Sequence, residues 1–128
     1  MGFVPVNTGL TAVVDLTVTK ADTAVALRSG DVPVLATPRV VGLCEEATVV
    51  ALAGRLSPGE TTVGTRIELT HLAPIKVGST VRAVATLEKT EGRRLVFSVT
   101  VTDPAGLVAA GKITRVVVPT DQFLDKAR

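Results

Sequence analysis

The sequence predicts an α+β fold, a roughly five-stranded antiparallel sheet wrapped around one long central helix. Three observations carry that expectation. Residues 38–53 form an apolar stretch with helical start and stop signals and no internal breaker. Five segments of alternating polarity, one before that stretch and four after it, read as strands. No repeat, low-complexity tract or Pro/Gly/Ser-rich linker divides the 128 residues, so residues 1–128 are expected to form a single domain.

In chain order, residues 10–20 place Ala12, Val14, Leu16 and Val18 on one parity and Asp15, Thr17 and Thr19 on the other, a half-buried strand. Residues 21–36 are mixed and broken at Asp31-Val32-Pro33; they read as a loop or a short helical turn. Thr37 then suits a helix N-cap and Pro38 the first helical position, where a missing N–H costs nothing. Gly54 suits the C′ position that ends the helix. Between them apolar residues fall on nearly every side, the pattern of a buried helix about 25 Å long. After a turn at 56–60, Val63, Thr65, Ile67, Leu69 and His71 are expected on one strand face, opposite Arg66, Glu68 and Thr70. Strands over 79–90, 95–101 and 107–118 follow, separated by Glu91-Gly92 and Asp103-Pro104-Ala105-Gly106 turns, and Thr120 is placed to cap a short last helix. One sheet with one long apolar helix to bury is the architecture of the hotdog fold. Its free edges call for pairing, which a dimer with a continuous sheet would supply.

Composition narrows the chemistry. The chain is 46% hydrophobic but 2% aromatic (Phe3, Phe97 and Phe123), so its core must be aliphatic and it is not intrinsically disordered. A net charge of +2, spread along the chain and without aromatics to stack bases, argues against a nucleic-acid partner. One histidine and one cysteine exclude the usual Cys/His zinc patterns, and no resident metal or cofactor is expected. No apolar run approaches the roughly 20 residues that span a membrane. The first nine residues lack the basic and apolar regions of a signal peptide. A lone Cys44 suits a reducing compartment, and the cytoplasm is the expected location.

A few residues stand out against this background. Glu45 and Glu46 lie about 100° apart on an otherwise apolar helix, so at least one meets severe desolvation and must be paired, hydrogen-bonded or neutral. A structural ion pair with Arg66 or Arg82 accounts for this as well as a functional role does. His71 sits on an apolar parity, where a core histidine and a catalytic one look alike. Thr37 is sufficiently explained by capping, although its hydroxyl would stand at the positive end of the helix dipole. Cys44 falls deep in the helix, where burial makes a thiol inert. Gly42 suggests close packing against a strand or a ligand, and Gly64 either a bulge or a close backbone approach. Arg115 interrupts an inward row of Ile113 and Val117, as an edge residue or an anion clamp. The densest basic spot, Arg93-Arg94, lies in a turn and leaves open a small anionic group such as a phosphate.

The stretches TPRVVGLCEEA, VGTRIELTHLAPIKVGSTV and EGRRLVFSVTV resemble the family typified by fluoroacetyl-CoA thioesterase, over roughly residues 30–126. The resemblance implies a dimeric hotdog enzyme that hydrolyses acyl-CoA thioesters. It implies Thr37, Glu45 and His71 as catalytic residues, matched at the family's spacings, and Gly64 and Arg115 as residues near the acyl group. It also selects Glu45 over Glu46. The family's lid phenylalanines have no counterpart in ADTAVALRSGDVPVLATP, which implies a more general, small-acyl thioesterase. In the expected reaction Glu45 acts as base or nucleophile, His71 moves the proton, and the start of the helix or Gly64 stabilises the oxyanion. The alternatives are a hotdog module that binds acyl-CoA or an acyl carrier without turnover, a hotdog dehydratase or isomerase, and an aliphatic domain without a site.

Overall fold

In the computed structural model, which describes residues 6–128, the expected elements occur in the expected order; Phe3 and the first residues of the N-terminal segment lie outside the described residues. Strand β1 (Thr11–Thr17) leads through a 3-10 turn (Lys20–Asp22) and the single-turn α1 (Ala24–Leu27) to the central helix α2 (Thr37–Ala51). Strands β2 (Glu60–His71), β3 (Thr80–Glu91), β4 (Arg94–Asp103) and β5 (Gly106–Pro119) follow, and α3 (Thr120–Asp125) closes the described chain. The sheet has five strands in the order β1-β3-β4-β5-β2, all antiparallel. Helix α2 packs against every one of them.

Alternation places the core as expected. Val81, Ala83, Ala85 and Leu87 of β3, and Leu95, Phe97, Val99 and Val101 of β4, are all buried against α2 and its neighbours. Along β1, Ala12, Val14 and Leu16 pack onto this core while Thr11, Val13, Asp15 and Thr17 stay exposed. Burying this many alkyl side chains, each contributing about 1.5–3 kcal/mol, compensates for the missing aromatics.

Several expectations give way. Thr37 is not the N-cap: Ala36 holds that position and Thr37 is the first helical residue, its hydroxyl making no capping bond. Thr120 likewise stands inside α3, behind an N-cap at Pro119. Helix α2 stops at Ala51, three residues short of the left-handed Gly54. Nor is α2 wrapped on all sides. Val40, Leu43, Cys44, Ala47, Thr48 and Ala51 are buried, but Gly42, Glu46, Val49 and Val50 are exposed along one face. Gly42 therefore packs against no strand; a Cβ there would meet only the Arg39 guanidinium, at 3.8 Å.

Strand β2 departs most from its expected pattern. It pairs with β5 at the far edge of the sheet, and its register slips between Gly64 and Arg66. A bulge of this kind flips parity. Thr62 and Gly64 lie opposite Val117 and Arg115, whereas Ile67, Leu69 and His71 lie opposite Ile113, Gly111 and Ala109. Val63 and Thr65 thus do not share the face of Ile67. Gly111 permits this pairing, because a Cβ there would run into the Glu68 carbonyl oxygen and stand 2.8 Å from Leu69 Cα.

The approach to α2 is pinned by one buried acid. Asp22 accepts from the Thr19 N–H at 2.7 Å, from the Thr19 hydroxyl at 2.9 Å and from Arg39 Nε at 2.9 Å. Burial pushes the Asp22 carboxyl up, but these three donors outweigh it and hold its pKa below the ordinary aspartate range. A depressed folded pKa adds stability above the unfolded value of about 3.9 and loses it as pH falls through the folded one. Denaturation midpoints from pH 6 down to pH 2 are therefore expected to fall more steeply for the wild type than for Asp22→Asn.

Candidate active site

Thr37, freed from capping, turns its hydroxyl to the end of β2. Its Oγ1 lies 2.8 Å from His71 Nδ1, and His71 Nε2 lies 3.0 Å from the Ala73 carbonyl oxygen. A carbonyl can only accept, so in the neutral ring Nε2 carries the proton and Nδ1 accepts from the Thr37 hydroxyl. The backbone beyond β2 thereby fixes the tautomer, and the histidine accepts a hydrogen bond from the threonine hydroxyl. A cleft of about 330 Å³ opens beside the pair, walled by Ala24, Val32, Val34, Leu35 and Leu72. Among the described residues no Phe, Tyr or Trp lines it.

Glu45 belongs to a second cluster. Its Oε2 stands 3.4 Å from Arg115 Nη1, so its partner is Arg115 and not Arg66 or Arg82, which pair with Glu68 and Asp15. Arg115 is buried, and its other contacts go to Thr62: Nε donates to Oγ1 at 2.9 Å and Nη2 to the backbone carbonyl at 3.0 Å. Burial pushes the guanidinium below its ordinary pKa, and the Glu45 carboxylate opposes that shift. Gly64 faces the same carboxylate, since a Cβ at this position would sit 2.6 Å from Glu45 Oε2. The glycine is both bulge-flanking and a point of close approach, but what approaches it is a side chain from α2. Glu46 is exposed.

Within one chain the structure joins Thr37 to His71, and Glu45 to Gly64 and Arg115, but does not join the two clusters. Thr37 and Glu45 are eight positions apart on the helix, a rise of ~12 Å. Thr62 is the residue that sequence reasoning missed; a threonine in an edge strand carries no distinguishing signal. Arg93 pairs with Glu60 at 2.8 Å, across the strand ends. Cys44 is buried, and burial pushes its thiol up to about 11, as an inert core residue requires. Among the described residues no group of three or more His, Cys, Asp or Glu side chains is arranged to hold a metal ion, and no helix is long and apolar enough to cross a membrane.

Comparison with known proteins bears on what this arrangement is for. Residues 18–121 match the family model of the fluoroacetyl-CoA-specific thioesterase FlK. The fluoroacetyl-CoA thioesterase of Streptantibioticus cattleyicolor is 41% identical over 95 residues, covering 74% of this chain and 68% of that protein. The solved structure of the FlK enzyme superposes with a TM-score of 0.89 at 34% identity, covering 95% of each chain. A thioesterase superfamily member from Thermus thermophilus superposes with a TM-score of 0.87 at 33% identity, covering 94% of this chain and 90% of that one. The family model spans both clusters and strands β2 to β5. The chain belongs to the fluoroacetyl-CoA-specific thioesterase family and has its hotdog fold.

Proposed function

We propose that this chain hydrolyses small acyl-CoA thioesters to the free acid and coenzyme A, as a single-domain cytoplasmic homodimer without a resident metal or cofactor. The observation that carries this reading is the Thr37–His71–Ala73 row, a hydroxyl polarised by an oriented imidazole at the mouth of an aliphatic cleft. The Glu45 carboxylate, with its side chain 35% exposed, supplies the base or nucleophile. In the water route Glu45 takes a proton as the new C–O bond forms. The C–S bond then breaks, its electron pair leaves on sulfur, and His71 relays a proton to the thiolate. In the covalent route Glu45 attacks the carbonyl and the C–S bond breaks with its electron pair on sulfur; water then cleaves the resulting anhydride, regenerating Glu45, and its proton passes through His71 to the thiolate. Label found in Glu45 after a single turnover in ¹⁸O-labelled water identifies the covalent route with water attack on the glutamyl carbon of the anhydride.

What one chain leaves open supports the dimer. Strand β2 is an edge strand exposed from Gly64 to Glu68, and the bare α2 face of Gly42, Val49 and Val50 carries exposed alkyl groups. Antiparallel pairing of β2 with its copy, centred between Ile67 and Glu68, sets Gly64 opposite the partner subunit's His71. It also runs the two α2 helices antiparallel. Each Glu45 then meets the partner's Thr37 and His71, which the ~12 Å rise keeps apart within one chain. Such pairing both covers the edge and completes the site.

A panel of acyl-CoA thioesters with a thiol reagent tests the activity. Release of coenzyme A is expected from short acyl groups, extending beyond fluoroacetyl because alkyl side chains wall the cleft. Saturable binding with no thiol release on any member would instead mark a binding module.

A further inference from the structure

We infer that Thr62 is a positioning residue that holds Arg115 off Glu45 and so keeps the carboxylate available for reaction. This inference rests on the reading of Glu45 as the base or nucleophile. A free guanidinium and carboxylate close into a bidentate pair at about 2.7–2.9 Å. Here they do not: one nitrogen, Nη1, approaches one oxygen, Oε2, at 3.4 Å. The reason lies on the opposite edge of the guanidinium. Nε and Nη2 share that edge, and both are taken by Thr62, through its hydroxyl at 2.9 Å and its backbone carbonyl at 3.0 Å. The fork is spent on Thr62, and Nη1 alone reaches the acid.

Strand register makes the arrangement rigid. Thr62 and Gly64 lie on one face of β2 directly opposite Val117 and Arg115 of β5, just before the bulge. Thr62 is thus the acceptor beside the Arg115 side chain, and Gly64 leaves the space into which Glu45 Oε2 fits. The result is a guanidinium beside the carboxylate that does not cap both of its oxygens. Oε2 faces Gly64 and Arg115, and Oε1 is left for a water or an acyl carbon. A carboxylate gripped by the full fork would be a weaker base and a weaker nucleophile, because each lone pair engaged by Arg115 is withdrawn from the reaction.

Thr62→Val removes the hydroxyl while keeping the shape, which leaves Nε–H without its acceptor and Arg115 held only through Nη2 on the backbone carbonyl, loosened to turn toward Glu45. We expect kcat to fall about tenfold or more with KM within about twofold, and the acid limb of the kcat profile to move to lower pH. Thr62→Ser should restore both, and Thr62→Ala provides a second removal of the hydroxyl. A merely structural Thr62 would not move the pH profile. The Glu45 carboxyl titration, followed by ¹³C NMR in the full-length protein, needs no turnover. Its midpoint should drop in the Val and Ala variants and return in the Ser variant. An unchanged or raised midpoint, or a Ser variant as altered as Val, overturns the inference. A wild-type protein inactive on every acyl-CoA would overturn the proposed hydrolysis instead, and the titration would still decide the geometry of Arg115.

Discussion

Glu45→Gln is expected to lower kcat at least a hundredfold while leaving KM within a few-fold and the folded state intact. The substitution keeps the side chain's size and one acceptor oxygen beside Arg115, and removes only the charge and the basicity. A hundredfold loss corresponds to about 2.7 kcal/mol of transition-state stabilisation. That is within the reach of a lost general base or nucleophile. The loss should fall on kcat because water or carboxylate attack occurs in the transition state, whereas ground-state binding is made by the cleft and the coenzyme arm. The competing account makes Glu45 the structural partner of a buried arginine. It expects the opposite division: turnover retained by whatever protein folds, and a marked drop in stability, because Arg115 would be left buried without its counter-charge. The geometry favours the first outcome. The 3.4 Å contact is long, the Glu45 side is 35% exposed, and Thr62 already satisfies two Arg115 donors. Parallel kinetics and thermal melts on the same preparation separate the two accounts.

How much of this could be read from the residues alone depended on burial. The parities of β1, β3 and β4 were legible because each has one face on the core, where a slip of one residue would bury polar groups. β2 was not, because its middle is exposed on an edge and hydrophobic alternation does not constrain a bulge there. For α2 the apolar run located the helix but misjudged its surroundings. Val49 and Val50 read as core, although an exposed helix face can have the same composition as a covered one. At the helix start, Thr37 matched the statistics of an N-cap, and a tertiary partner won instead: the hydroxyl bonds His71 rather than its own helix. The resemblance singled out Glu45, Gly64, His71, Thr37 and Arg115. It did not show that they form two groups, since spacing along a chain says nothing about which copy of the chain completes a site.

That division leads to the second large effect. Glu45→Gln and His71→Ala, each expected to be nearly inactive alone, should regain activity when the two chains are co-expressed and purified together. In a mixed dimer one site combines the intact Glu45 of one chain with the intact His71 of the other, and the second site collects both lesions. Random association makes about half the dimers mixed, each with one working site of two, so the pool should reach about a quarter of wild-type turnover. From parents reduced a hundredfold or more, this is a rise of roughly twenty-fivefold or greater. If instead Glu45 served the Thr37–His71 pair of its own chain, every site in every dimer would carry a lesion and the mixture would stay as inactive as its parents. Sizing by light scattering guards against a monomer, which would also fail to complement. A monomer that nonetheless hydrolysed acyl-CoA would show that Glu45 bridges the ~12 Å to Thr37 within its own chain. Side chains of α2 and β2 would then have to move well beyond the positions that Arg115, Thr62 and Gly64 now fix.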